Sequence, residues 1–76
     1  MMNRKIYHVT SIAGVWFVKL AGARRPESVH KLKRDALSRA RKLAKRTKLG
    51  QVIVHGRDGR IQIEYTYGKD PRATVG

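Results

Sequence analysis

The chain contains no cysteine, which excludes disulfide staples, thiolate zinc centres and cysteine nucleophiles. Acids are almost as scarce. Five Asp and Glu stand against 18 Lys and Arg, a formal net charge of +13. No apolar run approaches the roughly 20 residues of a membrane span, and the N-terminus shows no signal-peptide core. A cytoplasmic protein is therefore expected, nucleoid-associated if its partner is DNA. With 76 residues, the chain buries only about 60–65% of its unfolded surface, so one thin core is all it can build. We expect a single domain over 1–76, with an ordered core at about 4–67 and a polar tail over 68–76. So small a chain has little room for a substrate pocket, and a non-enzymatic role is expected.

What is present is periodic. Residues 4–10 alternate, with Tyr7 and Val9 on one face and Ile6, His8 and Thr10 on the other. Residues 11–14 carry Gly14 and suit a hairpin connection, after which 15–20 alternate again. Placing Tyr7, Val9, Trp16 and Val18 inward buries the only Trp and leaves Ile6, Val15 and Phe17 on an outer face. Residues 21–28, with Gly22 and Pro26, read as loop. Residues 51–55 are apolar and β-branched. Residues 60–67 alternate strictly, placing Ile61, Ile63, Tyr65 and Tyr67 together. Between these runs stands Gly56-Arg57-Asp58-Gly59, whose Asp-Gly pair is a strong hairpin signal.

A helix is predicted over about 32–48. At 100° per residue, Leu32, Ala36, Ala40, Leu43, Ala44 and Thr47 gather on one face with Leu37 at its margin, and Gly50 stands beyond as a C-terminal stop. The fold class expected is α+β, ββαββ, with one helix packed on an antiparallel sheet.

Nine basic residues fall between Lys31 and Lys48, and only Asp35 offsets them. Arg34, Arg41, Lys45 and Lys48 form one outward stripe, flanked by Lys31, Lys42 and Arg46, while Lys33 falls near the apolar edge. Like charges at helical spacing repel, and a phosphate backbone docked on the stripe removes that cost while releasing counterions. The pattern predicts a nucleic-acid-binding protein of little sequence specificity that contacts phosphates. Arg57 and Arg60, flanking the Asp58-Gly59 turn, are further candidate contacts. Single-strand binders need aromatic stacking platforms, and five aromatics mostly serve the core. Duplex is therefore expected ahead of single strands, and DNA ahead of RNA.

A second reading is a small protein-interaction module, such as a homodimeric adaptor or an inhibitor of an acidic protein surface. It would use the outer face of Ile6, Val15 and Phe17, with Tyr65. Membrane binding is not expected, because the helix's apolar face is Ala-rich and without aromatic anchors. His8, His30 and His55 stand at no helical metal-ligand spacing, so no metal, cofactor or catalytic residue is expected.

The stretch His55-Gly56-Arg57-Asp58-Gly59-Arg60-Ile61-Gln62, followed by Tyr67-Gly68-Lys69-Asp70-Pro71, resembles a family of small prokaryotic proteins, domain-of-unknown-function family 2188. Tyr7-His8-Val9, Gly14 with Trp16 and Val18, Arg25, Ser28-Val29-His30, Ala36, Arg39-Ala40-Arg41 and Leu43-Ala44 fit the same pattern. The resemblance runs from about residue 6 to 71. It implies the same ββαββ module and brings no activity, cofactor or catalytic residue. Members of that family usually interleave acids where this chain has Lys31, Lys33 and Arg34. The resemblance thus implies that the basic helix is this chain's own elaboration.

Overall fold

A computed structural model describes residues 4–68. Along the chain run β1 (Lys5–Ile12), β2 (Val15–Leu20), β3 (Ser28–His30), α1 (Lys33–Lys45), β4 (Gly50–His55) and β5 (Ile61–Tyr67). They form a five-stranded sheet in the order β3-β2-β1-β4-β5, with α1 packed on one face. The α+β class and the single helix on a sheet stand as the sequence predicts. The sheet, however, is mixed, because β1 and β4 pair in parallel at its centre while every other neighbour is antiparallel. The expected polar tail lies outside the described residues apart from Gly68, as does the Lys69-Asp70-Pro71 portion of the family motif.

The β1–β2 hairpin turns on two residues rather than four. Ala13 (φ 52°) and Gly14 (φ 82°) both take left-handed backbone, the two-residue geometry whose twist matches the flanking strands. Strand β1 therefore runs on to Ile12. Strand β3 was not expected. Its short pairing is led in by Glu27 N–H, which donates to the Val18 carbonyl at 2.6 Å.

Helix α1 stops at Lys45, three residues before the predicted end. Arg46 N–H donates to the Leu43 carbonyl (3.3 Å) and Thr47 N–H to the Ala44 carbonyl (3.2 Å). These shorter-range bonds tighten and end the last turn. The chain must turn at once to reach β4, so Gly50 opens a strand rather than stopping the helix. A Cβ at Gly50 would collide with the Ala44 carbonyl and lie 2.7 Å from Thr47 Oγ1. Only glycine allows this close approach. At the other end Leu32 caps the helix with extended backbone and no side-chain hydrogen bond.

Tyr7, Val9, Trp16, Val18, Val52 and Val54 point toward α1 and meet Ala36, Ala40 and Ala44. Val9, Val18, Val52 and Val54 are fully buried, each contributing about 1.5–3 kcal/mol. The three alanines let the helix axis sit close over these β-branched side chains. Ile6, Val15 and Phe17 fall on the opposite face, as expected from alternation. Tyr65 does not. It pairs with Val52 and packs against the core on the helix side. The strict alternation of β5 also breaks, for Ile63 pairs with Val54 but Ile61 with His55. Gln62 is the extra residue of a β-bulge.

Candidate nucleic-acid interface

The basic residues of α1 divide by what they touch. Arg41 is half-buried. Its Nε–H donates to Tyr67 Oη at 2.6 Å, and its guanidinium lies 4.9 Å from the centre of the Tyr65 ring. Lys33 reaches back over Trp16, 5.5 Å from the ring centre, and donates to Gln62 Oε1. Both cations cover apolar surface with their stems and hold β5 and β2 against the helix. Lys45 lies 5.6 Å from the Tyr67 ring and remains exposed. Arg34, Arg39, Lys42 and Arg46 are exposed as well.

Arg34, Arg41, Lys42 and Lys45 line one groove of about 300 Å³ along the helix, together with Leu37 and Ser38. From Arg34 to Lys45 the helix rises about 16 Å, so the four cations are spread along it rather than focused on one point. Ser38 places a hydroxyl among them, a phosphate donor that charge counting did not reveal. No acid lines the groove. The nearest carboxylate is Asp35, 4.0 Å from Arg34 Nε in a well-exposed pair of little energetic weight.

Lys48 and Arg46 stand apart from this set in the backbone. Arg46 is the C-cap residue, and Lys48 lies beyond it, in the bend that leads to β4. The four-residue stripe expected of one continuous helix is therefore three helical residues, and Lys48 follows on the connecting chain. Lys42 and Lys45 occupy the last helical turn, where they complement the negative end of the helix dipole.

A second, larger cleft of about 550 Å³ opens where the β4–β5 turn faces the start of α1. Lys31, Lys33 and Arg57 line it with Trp16, Leu32, Gly56, Asp58 and Gln62. Within the turn only Gly59 takes left-handed backbone, at φ 86°. Asp58 instead accepts the Arg60 N–H on Oδ1 at 3.0 Å, an Asx-type turn. Arg60 folds back toward Asp58 at 3.8 Å, whereas Arg57 faces the cleft. The two hairpin arginines are thus not equivalent: Arg57 adjoins the helix N-terminus, and Arg60 turns to its own acid.

The histidines hold something that sequence spacing hides. His8 Nδ1 and His55 Nε2 lie 3.0 Å apart on the sheet face opposite the helix, 47 residues apart in the chain. His55 Nδ1 is 3.2 Å from the Gly59 carbonyl. A carbonyl only accepts, so His55 carries its proton on Nδ1 and its Nε2 accepts from His8 Nδ1–H. Burial, and then the neighbouring His55, push the His8 imidazole below its ordinary 6.5. Among the described residues, no three metal-ligating side chains come together. No helix there is long and apolar enough to cross a membrane.

No curated protein and no solved structure matches the chain. The model of a family described as "Uncharacterized protein conserved in bacteria (DUF2188)" matches residues 7–67. That span takes in every strand but the first two residues of β1, and the whole helix, hairpin turn and His8–His55 pair. The chain belongs to this family.

Proposed function

We propose that the protein binds duplex nucleic acid, DNA in preference to RNA, through its phosphates and with little regard to sequence. One observation carries the reading: Arg34, Arg41, Lys42 and Lys45 share an acid-free groove along α1. Along the helix and its C-cap, Arg41–Lys45 and Lys42–Arg46 are like-charged pairs at i,i+4, and Arg39–Lys42 and Lys42–Lys45 at i,i+3. Each costs a few tenths of a kcal/mol in an isolated helix. Packing of the alanine stripe tolerates that cost, and a bound polyanion removes it. Phosphates of one strand passing along the groove meet Arg34, Lys42 and Lys45 as exposed cations, with the outer nitrogens of Arg41 as a fourth contact. Arg57, Lys31 and Lys33 extend positive charge past the helix N-terminus, and Arg46 and Lys48 past its C-terminus. Arg60, held near Asp58, is a peripheral contact. Such contacts position a duplex without reading its bases.

The test is a gel shift on duplex DNA, single-stranded DNA and duplex RNA, using protein freed of nucleic acid in high salt. Duplex DNA is expected to shift at the lowest protein concentration. Lys42→Glu and Lys45→Glu weaken it on every sequence alike. Unchanged retention after both reversals would remove the groove as the contact surface.

A further inference from the structure

We infer that the protein forms a face-to-face homodimer through the sheet surface opposite α1. Nothing among the described residues covers this surface. It presents Ile6, Val15, Phe17 and Ile53, with Ile12 at 63% and Val29 at 53% exposure. The densest positive charge of the chain lies elsewhere, on and beside the helix, where nine Lys and Arg fall between residues 31 and 48. The open face carries one central lysine and one glutamate, Lys19 and Glu64, around the His8–His55 pair.

The occupant follows from how those charges are arranged. Register places Lys19, His8, Ile53 and Glu64 in one row across β2, β1, β4 and β5. Lys19 and Glu64 are three strand spacings apart, about 14 Å, too far to pair within one chain. A two-fold axis along the strands, midway between β1 and β4, exchanges β2 with β5 and β1 with β4. Lys19 then faces the second copy's Glu64, and His8 faces its Ile53. In the neighbouring row Phe17 faces Ile61 and Thr10 faces His55. The face is therefore self-complementary under the commonest symmetry of oligomers. A second copy of this chain fits it, whereas a strongly acidic partner would meet only one lysine.

The area suits a weak, reversible association. The four strands that overlap, at about 4.8 Å spacing and about 20 Å of length, give roughly 400 Å² per copy. The total of about 800 Å² is that of a weak, transient interface rather than an obligate dimer. In the dimer the two α1 helices point outward on opposite sides. If the groove binds duplex as proposed, one dimer holds two duplexes. The dimer itself does not rest on that reading.

Sedimentation velocity on nucleic-acid-free protein, across about 1–300 µM, tests the proposal. Twice the chain mass is expected at the upper end. Phe17→Asp abolishes the dimer. Lys19→Glu and Glu64→Lys, both at exposed positions that leave the fold intact, each weaken it about tenfold or more. The double reversal restores it to near the original value, which only pairing between copies explains. A monomer at every concentration, or a double reversal no better than the single ones, overturns the inference. Duplex binding by a monomeric protein would overturn the dimer alone, and a dimer that ignores DNA would overturn the nucleic-acid reading alone.

Discussion

Arg41 and Lys42 are adjacent and alike in charge, yet the structure assigns them different work, and replacing each separates stability from binding. Arg41 donates to Tyr67 Oη at 2.6 Å and covers the Tyr65 ring at 4.9 Å. A hydrogen bond from a charged donor contributes about 1.5–3 kcal/mol when well shielded, and a partly exposed cation–π contact about 0.5–1 kcal/mol. The site is only half-buried, so the lower ends apply, and Arg41→Ala is expected to cost about 2 kcal/mol. With a urea dependence of about 1 kcal/mol per molar for a domain this small, the midpoint falls by about 2 M. Tyr67→Phe removes the hydrogen bond and keeps the ring, costing about 1.5 kcal/mol. In a double-mutant cycle the two changes should couple by a similar amount. Lys42→Gln, at an exposed position, shifts the midpoint by less than about 0.5 M. Urea unfolding followed by far-UV circular dichroism reads all four proteins. Equal midpoints for Arg41→Ala and the parent, or no coupling with Tyr67, would refute the clamp and return Arg41 to the freely exposed cations.

Other outcomes follow from single positions. Gly50→Ala forces a Cβ against the Ala44 carbonyl and should cost about 2–3 kcal/mol, lowering the melting midpoint by roughly 10–20 °C; an unshifted melt would mean the helix end yields freely. Ala13→Asn is expected to stabilise by up to about 1 kcal/mol, because Asn takes the left-handed conformation that Ala13 (φ 52°) occupies at a cost. A lower melting midpoint would contradict that. His8 resists protonation in the folded chain, its pKa lying below 6.5 through burial and the neighbouring His55. The unfolded chain therefore takes up the proton first. Stability is full above about pH 6.5 and declines as pH falls below it toward the folded-state value, by at most about 1.4 kcal/mol per pH unit from this group. Urea midpoints of dilute protein between pH 7.5 and 5 should fall more steeply than those of His8→Leu, and parallel curves would dispose of the effect.

Much of the fold was legible because its core obeys local periods. Tyr7 and Val9, Trp16 and Val18, and Ala36, Ala40 and Ala44 each sit where alternation or the helical period puts them. Pairing order is set by contacts between distant segments, so nothing within residues 5–12 or 50–55 announced their parallel alignment. Strand β3 escaped notice because three residues after Pro26 are too few to show a period. The bulge at Gln62 moved Ile61 away from the face that strict alternation assigned. Tyr65 was misplaced for a related reason: alternation says which residues share a face, and only the pairing with Val52 says which face that is. For the site, the density of charge on the helix was plain in the sequence. Which cations stay free was not, because Arg41 and Lys33 are engaged by aromatics from other strands. The His8–His55 pair exists only because β1 and β4 are neighbours.

The central claim, that the helix groove docks a polyanion, is tested most directly by the salt dependence of duplex DNA binding. Fluorescence anisotropy on one labelled duplex at several salt concentrations gives the slope of log K against log salt. Four phosphate contacts predict a slope of about −4, and Arg34, Lys42 and Lys45 all replaced by Gln should leave about −1. Binding that is absent at low salt, or a slope unchanged by the triple replacement, would contradict the account.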